Sequence, residues 1–301
     1  MSHPIPTLVV VGAKGQLGRS LAALPVPKGW DRLLLARPEL DVTDHLAVDE
    51  ALADVKHGVV VNATAYTAVD KAESESDLAH AVNRGGARHV ALAAARNGLP
   101  VVHVSTDFVF DGKKDGLYLE DDPVGPVSVY GASKLAGEDA VASVNPRHVT
   151  LRTAWVFSRH GACFPRAIYR ALLAKPEVAV VDDQIGCPTA AEHLAEIIQA
   201  IAPKLIGRAP DDPLFGLYNL AGQPVLSRYE FAQAIEAEMK KQGLGAAGTV
   251  IPRKTDPDAP GARRPANSAL SSGRFTKAFG IEAPDWRTIL PSCVTAYGES
   301  S

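Results

Sequence analysis

Cysteine, methionine and aromatic side chains are scarce: the 301 residues include three Cys and two Met, and 6% are aromatic. The thiols, Cys163, Cys187 and Cys293, are odd in number and far apart, with no C-x-x-C pair. That spacing speaks against a disulfide framework and a zinc knuckle and fits a reducing compartment, so a cytoplasmic protein is expected. An excess of one charge is also missing, with 31 Lys+Arg against 34 Asp+Glu and a formal net charge of -3. Without a strongly basic surface, neither nucleic acid nor an anionic membrane is an expected partner. Long hydrophobic runs are absent: Leu8-Val9-Val10-Val11 is too short for a signal-peptide core, and no stretch approaches the ~18 apolar residues of a membrane helix. Nine histidines form no H-E-x-x-H pattern and no helical pair, so no metal site built from protein ligands is expected.

What is present is alternation. Short β-branched runs trade places with Ala-rich stretches, the pattern of βαβ units on a parallel sheet. The periodicity predicts strands over 7–11, 33–36, 58–62, 100–104 and 149–155, and helices over 16–23, 45–55, 77–97 and 128–144. Beyond about residue 157 the rhythm loosens, with helices expected over 165–174, 190–201 and 228–241 between Pro- and Gly-rich loops. The expected fold is α/β: a Rossmann-type doubly wound parallel sheet, with a smaller C-terminal α/β lobe for substrate. The boundary, placed only approximately, divides 1–157 from 158–301 and leaves room for the two to interleave. Within the second part, residues 256–265 read as an extended loop whose Arg263 and Arg264 could meet an anion, such as a diphosphate.

Gly12-Ala13-Lys14-Gly15-Gln16-Leu17-Gly18 follows the first strand and opens the first helix. A dinucleotide pyrophosphate must approach the backbone at such a helix start, where free N–H groups meet it and a Cβ would obstruct it. Gly12, Gly15 and Gly18 are therefore candidate cofactor residues, and the alternative is a plain Gly-rich turn. After the second strand stands Arg37, where an acidic residue would hold a ribose 2′-hydroxyl and a basic one can pair with a 2′-phosphate. NADPH is expected on that ground, with NADH left open, and Asp41-Val42 flank the same end of the cofactor.

Tyr130 and Lys134 are four apart at the start of a predicted helix, on one face. An ammonium near a phenol favours the phenolate, so Lys134 is expected to lower the pKa of Tyr130 and let it exchange a proton with a substrate oxygen. Ser105-Thr106-Asp107 begins where the fourth strand is predicted to end, at the carboxyl edge where ligands of open α/β sheets bind. A Thr in that place is equally a cap or a strand-to-loop hydrogen bond. Asn62 to Thr67 lie at the corresponding end of the third strand. Trp155, in an apolar strand, reads by itself as core packing.

Taken together, six motifs resemble the extended short-chain dehydrogenase/reductases and, among these, the dTDP-4-dehydrorhamnose reductase family. They are Gly12–Gly18, the run from Val61 to Glu73, Ser105–Gly112, Tyr130–Glu138, Leu151–Phe157 and Asp183–Thr189, in the family's order across nearly the whole chain. The resemblance implies a catalytic triad of Thr106, Tyr130 and Lys134, with Tyr130 as proton donor. It implies cofactor contacts from Gly15, Gln16, Leu17, Asp41, Val42, Ala65, Tyr66, Thr67, Val104, Tyr130 and Lys134. Nucleotide-sugar contacts would come from Thr106, Asp107 and Trp155. The implied reaction is NAD(P)H-dependent reduction of the C4 carbonyl of dTDP-4-dehydro-6-deoxy-L-mannose to dTDP-L-rhamnose, used for cell-surface polysaccharide.

Two positions depart from the family. Phe108 replaces a usual tyrosine, and Ser20 stands where some members carry one of the glutamates that bind magnesium at a homodimer interface. Glu192 matches another of those ligands, but the set is incomplete, so magnesium and that homodimer stay open. The alternatives are another nucleotide-sugar reductase or epimerase, and a non-catalytic subunit resembling the regulatory subunit of methionine adenosyltransferase. A dehydratase would need a glutamate after Asp107, where Phe108 stands.

Overall fold

Valine-rich runs without polar alternation belong in strands covered on both faces. In the computed structural model, which describes residues 5–245 and 248–299, Thr7–Val11 (β1) and Gly58–Asn62 (β3) are such strands. Asp31–Leu35 (β2), Val101–Thr106 (β4), His148–Thr153 (β5) and Gly216–Asn219 (β6) complete a six-stranded sheet in the order β2-β1-β3-β4-β5-β6. Every neighbouring pair in it is parallel. Leu8, Val10, Val59, Val61 and Val102 enter one core, and Val9, Val11, Val60 and Val101 the other, as a period of two demands.

Helices Gln16–Ala23 (α1) and Ala191–Leu205 (α6, counting the helices introduced here) cover the first face. His45–Leu52 (α2) and Ala87–Arg96 (α3) cover the second. Between α3 and α6 in sequence come Val129–Val144 (α4) and Phe164–Ala174 (α5). Arg228–Lys241 (α7) follows α6 and packs with α5, Leu290–Glu299 and the paired strands Glu177–Val181 and Thr249–Arg253 around a separate core. Strand β6 and helix α6 return to the main sheet from beyond residue 157, so the chain crosses between that sheet and the separate core more than once.

Several boundaries differ from the sequence expectation, each for a tertiary reason. Strand β4 continues through Thr106, paired with Thr153 of β5, rather than stopping at 104. Strand β5 stops at Thr153, because Trp155 takes a positive φ of 46° that no strand accepts. The helix expected over 77–97 is Ser76–His80, then a π-helical turn Ala81–Gly86, then α3. Helix α6 runs past Ile201 in spite of Pro203, carrying the buried Leu205 into the core.

Candidate active site

With strand order β2-β1-β3, the connection from β1 runs to one side and the next, from β2, crosses to the other, so a crevice opens at the carboxyl ends of β1 and β3. The glycine loop lies there. Gly12 needs its φ of +94° for the turn, and a Cβ on it would stand 2.8 Å from the Ala63 carbonyl carbon. A Cβ on Gly18 would meet Ala13 Cα at 2.6 Å, so α1 can lie against the loop only with glycine there. Gly15 caps α1 with no side-chain hydrogen bond, leaving the first N–H groups of the helix to an incoming anion. A Cβ on Gly15 would touch only the Gly12 carbonyl, at 3.3 Å, so the space beyond it is an open cradle of the kind a pyrophosphate fills.

Two contiguous hollows meet at this loop. The smaller, of about 270 Å³, is lined by Gly12, Gly15, Ala36, Arg37, Leu40, Val42, Ala63 and Tyr66 among others, an apolar slot with a charged rim. On that rim Arg37 pairs with Asp41 at 3.0 Å and Lys14 with Glu39 at 3.2 Å. Asp41 also accepts from the Thr43 amide and hydroxyl, which hold its carboxyl below the usual range. The larger hollow, of about 620 Å³, runs from Gly15, Gln16 and Leu17 past Ala65, Thr67 and Val104 to Thr106, Asp107, Phe108, Tyr130, Lys134, Trp155 and Arg228.

Helix α4 is capped by Ser128, whose hydroxyl accepts from the Gly131 amide, and this cap fixes Tyr130 in the first turn. Phe108 packs edge-on against Tyr130 with ring centroids 5.6 Å apart. Thr106 does two things: its hydroxyl accepts from the Phe108 amide at 3.2 Å, capping a short 3-10 turn, and donates to Asp107 Oδ1 at 3.0 Å. Burial pushes the Tyr130 phenol up to about 12, with a Thr106 hydrogen bond working against it. The resting phenol is therefore raised, not lowered as expected from Lys134, because burial dominates. Lys134 donates instead to the Val104 carbonyl at 2.6 Å, and burial brings its ammonium down to about 8. Asp107 is raised to about 6, chiefly by burial, against hydrogen bonds from Ser268 and Thr106 and the charge of Arg228.

Several contributors were not foreseen from sequence. Asn83, buried in the π-helical turn, accepts from the Tyr66 amide at 2.8 Å and donates to the Tyr66 carbonyl and to Ser133 Oγ. It thus ties the β3 loop to α4. Asn83→Ala leaves these partners unsatisfied and is expected to cost about 1–3 kcal/mol, seen as a lower Tm, and to weaken dinucleotide binding in a titration. Under the cleft floor Glu138 takes a fork of bonds from Arg152 (3.0 and 2.7 Å) and one from Ser105 (2.5 Å), anchoring the end of β4 to α4. Arg228 and Arg19 are the arginines lining the larger hollow, whereas Arg264 pairs with Asp70 at 2.9 Å and Arg263 is exposed. Of the magnesium positions, Ser20 donates to the Gln16 carbonyl and Glu192 accepts from Arg159. Among the described residues no three His, Cys, Asp or Glu side chains come together as a metal site, and no helix is long and apolar enough to cross a membrane.

A glycine-loop dinucleotide cradle sharing one cleft with a Thr–Tyr–Lys group defines an NAD(P)-dependent oxidoreductase of the short-chain dehydrogenase/reductase class. The family model described as "RmlD substrate binding domain" matches residues 6–299. The chain belongs to that family, the dTDP-4-dehydrorhamnose reductases. A curated protein of that name from Sinorhizobium fredii is 41% identical over 287 residues, covering 93% of each chain. Among solved structures, a dTDP-4-dehydrorhamnose reductase from Clostridium acetobutylicum superposes with a TM-score of 0.87 at 31% identity, covering 96% of this chain and 98% of that one. One from Bacillus anthracis, solved in complex with NADP, gives 0.84 at 29% identity and covers 98% and 99%.

Proposed function

We propose that this protein reduces the C4 carbonyl of dTDP-4-dehydro-6-deoxy-L-mannose, giving dTDP-L-rhamnose for cell-surface polysaccharide, with NADPH preferred as reductant. The observation that carries the reading is the opening of Thr106, Tyr130 and Lys134 into the cleft that the glycine loop enters, in a chain whose relatives bear that enzyme's name. NADPH supplies the hydride when bound; Gly12, Gly15, Gln16 and Leu17 would hold its pyrophosphate and Val42, Ala65, Tyr66, Thr67 and Val104 would line its path.

Tyr130 donates its phenolic proton to the carbonyl oxygen as negative charge grows there, and the Thr106 hydroxyl converges on the same oxygen. Because an alkoxide-like oxygen accepts hydrogen bonds more strongly than a ketone, these donors favour the transition state over bound substrate. Lys134, one helical turn from Tyr130, stabilises the phenolate left behind and would hold the nicotinamide ribose. Asp107 and Trp155 meet the sugar. Phe108, edge-on to Tyr130, presents no carboxylate where elimination of water would require one.

Loss of absorbance from NADPH, and separately NADH, on adding freshly made dTDP-4-dehydro-6-deoxy-L-mannose tests the reading, with dTDP-L-rhamnose as the required product. Silence with both reductants, from protein that binds them, overturns it. Arg37 on the rim favours a 2′-phosphate, while Asp41 beside it offers an acceptor to a free ribose hydroxyl. Arg37→Met is accordingly expected to raise the KM for NADPH by up to roughly tenfold, the scale of one charge-assisted hydrogen bond, and to leave the KM for NADH unmoved. An equal rise for both cofactors would remove Arg37 from 2′-phosphate recognition.

A further inference from the structure

We propose that Arg228 and Gly186 form a clamp that sets the plane of the Trp155 indole, making both positioning residues for sugar recognition. The sugar half of this inference rests on the function proposed above; the clamp itself does not.

Trp155 leaves the end of β5 with a φ of 46°, a left-handed conformation rare for a bulky side chain and kept only where surroundings enforce it. Two contacts on the indole do so. On one side the Arg228 guanidinium lies over the ring with its Cζ 3.6 Å from the centroid, close enough for a cation–π contact in a partly dry cleft. Over the face of the indole near Cε2, Gly186 brings bare backbone: a Cβ there would fall 2.6 Å from Cζ2 and 2.7 Å from Nε1 of Trp155. The glycine is required by this approach and by nothing in its own backbone angles. Its place in the Asp183–Thr189 motif, which the reductase chemistry leaves without a role, is thereby explained.

One ladder delivers both halves of the clamp. Ile185–Gly186 pairs antiparallel with Leu226–Ser227, and the Arg228 amide donates to the Gln184 carbonyl at 3.0 Å. Ser227 and Glu230 then close a capping box that starts α7 at Arg228 and fixes its direction. Burial pulls the guanidinium below its ordinary value, and the charge of the buried Asp107 works against that pull. A planar guanidinium stacks on an indole in a way that an ammonium does not, so lysine is no substitute here.

The test uses Arg228→Met, Arg228→Lys and Gly186→Ala, each alone and combined with Trp155→Leu. In the wild-type background, Arg228→Met and Gly186→Ala are expected to raise the KM for the nucleotide sugar about tenfold, the scale of one desolvated cation–π contact. Arg228→Lys recovers only part of the loss, and the Kd for NADPH stays unchanged in all three. With Trp155 already removed these increases disappear, because the residues act through the indole. Increases that persist and add in the Trp155→Leu background would place Arg228 on the substrate itself and overturn the clamp. A second readout needs no turnover: acrylamide quenching of the emission that is lost in Trp155→Phe. Quenching rises in Arg228→Met and Gly186→Ala if the ring is released, and unaltered quenching in both overturns the proposal. If the wild type consumes no NADPH with this sugar, the proposed function fails while the quenching still decides the clamp.

Discussion

Tyr130→Phe is expected to lower kcat by about 10²- to 10⁴-fold without weakening NADPH binding. The substitution is narrow. Phenylalanine keeps the ring that packs edge-on against Phe108, and Ser128 still caps the helix that carries it. Only the hydroxyl goes, and with it the donor that supplies a proton to the forming alkoxide. Burial that holds the phenol near 12 means that the resting group is neutral and carries the proton, as a donor must. Thr106 does not replace it, because an aliphatic hydroxyl is a far weaker acid than a phenol and hydrogen-bonds the alkoxide without protonating it. The check is steady-state turnover beside a NADPH titration and a thermal melt. Unaltered kcat in a folded, NADPH-bound variant would exclude Tyr130 as the proton donor.

Elements whose sequence carries a physical signal at both ends were legible. Strand β1 is an unbroken apolar run closed by a glycine turn, and α7 opens on Ser-x-x-Glu, so their spans follow from the chain alone. The end of β5 had no such marker: Arg152-Thr153-Ala154-Trp155-Val156-Phe157 is apolar enough to read straight through, and the break at Trp155 depends on Gly186 and Arg228 from elsewhere. Asn83 reads as an ordinary polar position within an apolar helical stretch until the π-helical turn presents it to Tyr66 and Ser133. Arg228 lies in a first helical turn, where an arginine alone suggests solvent, and only the pairing of residues 185–186 with 226–227 brings it into the cleft. For Tyr130 and Lys134 the four-residue spacing gave the shared face. It could not give the degree of burial, and burial decides the pKa of both. The long-range pairing of Arg264 with Asp70 likewise lies beyond any local pattern.

Lys134→Met is expected to lower kcat/KM by about 100-fold or more, the scale of a lost electrostatic stabiliser in the transition state, while Tm near neutral pH holds or rises. Lys134 is 2% exposed, and burial brings its ammonium from an ordinary 10.5 to about 8, an unfavourable burial on the order of 3 kcal/mol. Methionine removes that penalty and fills similar space, against which stands about 1–3 kcal/mol for a Val104 carbonyl left without its donor. The sign of the pH dependence separates the two effects. With the folded value depressed, the unfolded chain binds more protons between about pH 8 and 10.5, so this group makes stability rise with pH across that window. The Met variant loses the slope. Wild-type kcat/KM moves the other way, falling above pH 8 as the partner of the phenolate loses its charge. Melts and pH–rate profiles of both proteins check this, and a Met variant that keeps the stability slope would place its source in another group. Opposed pH trends in one side chain are what a site held against its own stability produces: the cleft keeps a buried cation because the phenolate it faces exists only during turnover.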